Sequence, residues 1–303
     1  MNTYVTGGAW RSLFLFLMII ALLIALMVST GVSAAQSAQP LKVFVSILPQ
    51  KYFVERIGGE NVDVSVLVGP GQSPTTYEPL PKQMAALAET TLYFRIGVPF
   101  ESAWIDRIQG LNPKLKIVDT REGISLRAID RTRVAEPSTR KDEVLDPHIW
   151  LDPLLVKMQA ETIYNELVGL DPENGEFYKN NLEGFQLELD QLHWELRETL
   201  GGLLTKKVMV FHPAWGYLFD RYGLEQLPIE HEGKEPGPKA LAELTELAQK
   251  EGIQVIFLEA QKPTETALAV ANAVGAKLVV LDPLAEDYFA NLRLIADTIQ
   301  KEL

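Results

Sequence analysis

Four histidines occur in the 303 residues, and their surroundings sort them. His148 lies in Asp146-Pro147-His148-Ile149-Trp150-Leu151-Asp152-Pro153, between two Asp-Pro steps. Each proline fixes its own φ and pushes the preceding residue towards extended geometry, so the turn carrying His148 is stiff. His212 follows the apolar run Val208–Phe211 and precedes Pro213. Asp282 stands in the same relation to Leu278–Leu281 and Pro283. Ligands of open parallel sheets bind outside the carboxyl ends of the strands, where His212 and Asp282 are placed.

Two imidazoles and a carboxylate meeting in a crevice suit a divalent transition metal, zinc above all, whereas oxygen-rich sets suit magnesium, calcium or manganese. Each residue also has a structural reading. A histidine near a sheet edge is usually just hydrogen-bonded, and an aspartate before proline is often a turn former. The long, irregular spacing of the three specifies no site by itself. His231, in the loop after Leu224–Ile229, opens towards the same crevice. His193 is expected to be exposed, off the apolar stripe of its helix.

The elements that must position these groups alternate. Strands are expected at Leu41–Ile47, Val62–Val68, Leu92–Ile96 and Lys116–Asp119, then at Val208–Phe211, Leu224–Ile229, Val255–Leu258 and Lys277–Leu281, with helices between. Strand–helix alternation implies βαβ units and parallel sheets. The fold class is therefore α/β, with two similar lobes, each a parallel sheet flanked by helices. Asp152 is a ready N-cap and Pro153 a first-turn residue for a helix reaching about Val168. Residues 121–143, of mixed charge and no strong period, read as a surface loop.

Between the lobes, Pro172 opens and Gly201-Gly202 closes a long helical pattern. Leu182, Phe185, Leu189, Leu192, Leu196, Leu200 and Leu203 step by three and four along one face. At 1.5 Å per residue it spans roughly 43 Å, enough to brace both lobes and keep hinge motion small. The organisation expected is 39–170 for the first lobe, 171–204 for the backbone helix and 205–303 for the second lobe.

Composition narrows the function classes. A net charge of −12 disfavours nucleic acid, whose phosphates would be repelled. Arg11 is the only charged side chain ahead of an unbroken apolar run, Leu13–Val28, and small residues follow from Ser29 to Ala38. That is the pattern of a cleavable export signal over 1–38, an uncleaved anchor being the alternative. The chain has no cysteine, which excludes disulfides, thiolate metal sites and a lipid-anchored lipoprotein. A freely diffusing periplasmic protein fits best.

The motifs together resemble a known family. The segments 146–153, Phe211-His212-Pro213-Ala214-Trp215-Gly216-Tyr217 and Leu281-Asp282-Pro283-Leu284-Ala285-Glu286-Asp287-Tyr288 are similar to the second, third and fourth ligand motifs of the zinc- and manganese-type solute receptors of bacterial ABC importers. Glu232-Gly233-Lys234-Glu235-Pro236 and Phe257-Leu258-Glu259-Ala260-Gln261 match family stretches too, in order from Leu41 to the C-terminus. The resemblance implies a helical backbone between two lobes, metal ligands at His148, His212 and Asp282, and Zn2+ as cargo, with Mn2+ or another ligand as the alternative. A histidine at the third position is closer to the zinc branch. It implies a cognate ABC permease as partner, a monomer, and no enzymatic activity.

One position departs from the pattern. The family's first ligand is a histidine in Pro-His-x-Tyr-Glu-Pro, and here the stretch is Pro74-Thr75-Thr76-Tyr77-Glu78-Pro79. A hydroxyl is a poor zinc ligand, so water completes the site, or His231 or Glu78 substitutes. Two other functions share parts of this pattern. A zinc hydrolase would also use three ligands and an open position, but no HExxH-type helix is present. A surface adhesin would need display, for which the lipid-anchor cysteine is missing.

Overall fold

The computed structural model describes Met18 and residues 39–129, 144–230, 236–262 and 265–303. The proposed export signal and His231 therefore lie outside the described residues, Met18 apart, as does most of the 121–143 stretch. Among the described residues no helix is long and apolar enough to cross a membrane.

The described residues of 40–303 form eight strands and nine α-helices. In the first lobe β1 (Leu41–Ile47), α1 (Leu48–Gly58), β2 (Val62–Val68), α2 (Pro81–Leu87), β3 (Leu92–Arg95), α3 (Pro99–Leu111) and β4 (Lys116–Asp119) build a parallel sheet of order β2-β1-β3-β4. In the second, β5 (Lys207–Val210), α6 (Gly216–Tyr222), β6 (Glu225–Pro228), α7 (Pro238–Lys250), β7 (Val255–Glu259), α8 (Glu265–Val274) and β8 (Lys277–Leu281) give β6-β5-β7-β8, again parallel. The two orders are the same. In each sheet the strand order switches side between the first and third strands, β1 and β3 in one and β5 and β7 in the other, which opens a crevice at the carboxyl ends there.

Two helices link the lobes: α4 (Pro153–Leu170) and α5 (Gly175–Gly201), with a 3-10 turn at Pro172–Asn174 between them; α9 (Tyr288–Glu302) ends the chain. The apolar stripe read from the sequence is the buried face of α5, from Leu182 to Leu200, extended by Tyr178. That face packs on α1, α4, α6 and α9, so one core cluster runs through both lobes, with a second, smaller one inside the second lobe. Charged staples lie along the rod. Arg56 grips Glu188 at 2.9 and 2.7 Å, Lys157 reaches Asp190 at 2.7 Å, and Arg293 reaches Glu195 at 2.7 Å.

The start of α4 follows from its residues. Pro153 occupies the first turn and the Asp152 carboxylate accepts the Leu154 amide at 2.9 Å. The other oxygen of Asp152, nearly fully buried, accepts Arg221 Nε of α6 at 2.8 Å. One residue thus caps a helix and ties the lobes together. Two expectations need correction. The 121–143 stretch is not all surface: Ile124, Ala128 and Ile129 are buried, and Ala128 bridges to Leu145. His193 is half-buried rather than exposed, since its Nδ1 lies 3.2 Å from the Tyr222 hydroxyl.

Candidate metal centre

His148 sits where a 3-10 turn, Ile149–Leu151, begins. The Asp146 carboxylate, fully buried, accepts both the His148 amide at 3.0 Å and Nδ1 of its ring at 2.7 Å through Oδ1. The two Asp-Pro steps make this possible: they hold residue 146 close enough to fold its side chain over the residue two places on. The ring is further fixed by Trp150, whose ring centroid is 5.0 Å away.

His212 leaves the end of β5, beside both β6 and β7. Its amide donates to Glu259 Oε2 at 3.1 Å, and its Nδ1 lies 2.5 Å from Glu230 Oε2. Glu230 follows β6 and is held by Lys262 Nζ at 3.0 and 2.9 Å. Burial pushes the His212 ring down to about 4, with the Glu230 hydrogen bond opposing and the charges of His148 and Lys262 assisting. Glu230, although burial works against it, is held below the usual carboxylate range by His212 and Lys262. A neutral ring beside an ionised acceptor carries its one proton on Nδ1. Nε2 of His212 therefore keeps its lone pair. At His148 the Asp146 Oδ1 occupies the matching place beside Nδ1, which leaves Nε2 of that ring facing away from the carboxylate.

The two rings meet across the lobes, 5.2 Å between centroids and nearly perpendicular. Both line a cavity of about 330 Å³, with Thr75, Gly97, Val98, Trp150, Glu259 and Leu284 among its walls. It lies at the switch points of both sheets, beyond the ends of β3, β5 and β7. Gly97 lines it with φ +84°, a left-handed geometry, and a Cβ there would come within 1.9 Å of the Arg121 guanidinium. Glu259, fully buried, accepts Trp215 Nε1 at 2.8 Å, and burial raises its carboxyl to about 7.

Asp282 is not a wall of the cavity, although Pro283 and Leu284 are. Its Oδ1 accepts Gln261 Nε2 at 2.7 Å and the Leu284 amide at 2.8 Å. Trp150 Nε1 donates to the Pro283 carbonyl at 2.8 Å, fastening the loop of Asp282 to that of His148. Among the described residues no group of three or more His, Cys, Asp and Glu stands close enough to hold a metal ion. The structure thus brings His148 and His212 together and seats Asp282 next to their cavity. Thr75 faces that cavity and Glu78, exposed, is not among its walls. His231 lies outside the described residues.

Sequence reasoning overlooked the roles of Asp146, Glu230 and Lys262. Asp146 had a signal, a carboxylate two residues before a histidine in a proline-locked turn. Glu230 had one only once the strand order was known, because β6 beside β5 puts the residues after both strands together.

Architecture and crevice define a class: two-lobed α/β binding proteins with a ligand-sized cavity at paired switch points and a helical brace. Within that class the chain belongs to the ZnuA family, described as the periplasmic component A of the zinc-uptake complex, which it matches over residues 43–302. It is 28% identical to the high-affinity zinc uptake system protein ZnuA of Bacillus subtilis (strain 168), over 91% of this chain and 88% of that one. A crystal structure of ZnuA is 41% identical, covering 87% of this chain and 99% of its own, with a TM-score of 0.80. The laminin binding protein Lmb of Streptococcus agalactiae, titled a bifunctional protein with adhesin and metal transporting activity, is 27% identical with a TM-score of 0.75, over 87% and 99%.

Proposed function

We propose that this chain is the exported receptor of an ABC importer, capturing Zn2+ between its lobes and handing it to a membrane permease. His148 and His212 supply Nε2 donors and Asp282 a carboxylate; Thr75 stands at the wall in place of a fourth protein donor. Residues 1–38 act as the export signal, 39–170 and 205–303 as the two lobes, 171–204 as the brace, and the monomer is the working unit. No reaction is catalysed: binding and release are the whole task.

The observation that carries this reading is the pair of imidazole rings from opposite lobes, each with Nδ1 against a buried carboxylate and Nε2 left to face an ion. Outer partners of this kind fix the tautomer and raise ligand basicity. Elemental analysis of the protein purified from its own periplasm tests the proposal. One zinc per chain is expected, lost in the His148→Ala/His212→Ala double variant. A different metal in equal amount, or zinc unaffected by the double variant, would contradict it.

A further inference from the structure

The cavity is larger than its cargo. Zinc prefers four ligands, and two imidazoles leave two positions. Two waters, at about 30 Å³ each, occupy only a small part of the roughly 330 Å³ available. That volume is in the range of small-molecule sites, about 300–1,000 Å³. Its walls are also wrong for a hydrated ion. Pro74, Val98, Ile129, Leu145, Trp150 and Leu284 present apolar surface, which stabilises an organic group and gives an aquated dication nothing.

Polar groups are confined to particular places on the walls. Lys262 lines the cavity while its ammonium contacts both Glu230 oxygens. An ammonium has three donors, so among the described residues one is left for a further acceptor. Ser73, Thr75 and Ser102 add hydroxyls. At Thr75 the wall carries a small side chain, and among the described residues no group of three or more His, Cys, Asp and Glu is placed to hold a metal ion.

Resting on the reading that the cleft captures zinc, we propose that it takes the metal as a one-to-one chelate with a small α-amino acid of the histidine type. The chelator's amino and imidazole nitrogens fill the two positions beside His148 and His212, displacing water and the Asp282 carboxylate, which serves the bare ion and here stays with Gln261 and the Leu284 amide. Its carboxylate, not needed by the metal, meets Lys262, and its carbon skeleton lies on the apolar walls. Thr75 makes the room that a protein imidazole would take.

Native mass spectrometry of the full mature chain, with Zn2+ alone and with Zn2+ plus excess L-histidine, tests this. The expected species is chain plus zinc plus one histidine, and zinc affinity at matched free zinc rises at least tenfold when histidine is present. Histidine methyl ester, lacking the carboxylate, loses at least tenfold in retention. Thr75→His binds bare zinc more tightly and no longer retains histidine. Zinc bound with equal affinity and no histidine in both conditions overturns the chelate proposal while leaving capture intact. No zinc in either condition overturns both.

Discussion

Replacing Glu230 with glutamine perturbs the site without touching a ligand. Glu230 does two things: it accepts the Nδ1 proton of His212 at 2.5 Å and neutralises Lys262 at 2.9 Å. Loss of an outer-shell partner typically costs about 10–100-fold in metal affinity, roughly 1.4–2.7 kcal/mol. The second effect is electrostatic. The Lys262 ammonium lies no further from His212 Nδ1 than those two distances end to end, about 5.4 Å. A zinc ion on Nε2 is then at most about 10 Å from it. An uncompensated ammonium repels a dication at that distance by about 3 kcal/mol at an effective dielectric of 20, and by less than about 1 kcal/mol in bulk water. Glu230→Gln is therefore expected to weaken zinc binding by about a hundredfold or more. Adding Lys262→Met removes the repulsion and should recover about tenfold of that. Competition against a chromophoric chelator at pH 7 measures both, with circular dichroism confirming the fold. Glu230→Gln within threefold of the parent, or no recovery in the double variant, would refute the reasoning.

Thr75→His, placing an imidazole on the cavity wall, should tighten bare zinc binding about tenfold or more by calorimetry, and unchanged affinity would remove Thr75 from the site. Trp150→Phe deletes the bond to the Pro283 carbonyl; leaving that buried acceptor unpaired costs about 1–3 kcal/mol of stability by denaturant titration. Gly97→Ala forces a side chain into φ +84° against Arg121, which Asp119 holds at 2.9 and 2.7 Å, so a loss of about 1–3 kcal/mol is expected. Metal-free protein should lose stability as pH falls below 6.5. The unfolded chain then binds a proton that His212 refuses until about pH 4, so the loss accumulates between those values, up to roughly 3 kcal/mol, and levels off below. His212→Asn should flatten that slope in urea titrations, and an unchanged slope would count against it.

Much of the fold was legible because its signals are local. The strands β1, β2, β4 and β8 have the bounds that their β-branched runs gave, and α4 starts where Asp152-Pro153 caps it. The stripe on α5 needed only helical periodicity. His148 and His212 were legible as candidates because proline-locked positions at strand or helix ends are few. Their partners were not, since Glu230 reaches His212 through strand order and Lys262 reaches Glu230 through a turn after β7. The half-burial of His193 depends on Tyr222, 29 residues away, which no pattern within α5 reports. Nor could spacing reveal that Asp282 is engaged by Gln261 and the Leu284 amide. The departure at Thr75 was visible in the sequence, but its place on the cavity wall needed the structure.

The claim most in need of a direct reading is that two imidazoles from opposite lobes hold one zinc ion. X-ray absorption at the zinc edge, on the full chain loaded with one equivalent, reports it. Two imidazole shells with nitrogen at about 2.0–2.1 Å are predicted, falling to one in His148→Ala or His212→Ala. A spectrum with no imidazole scattering, or one unchanged in both variants, would contradict the account.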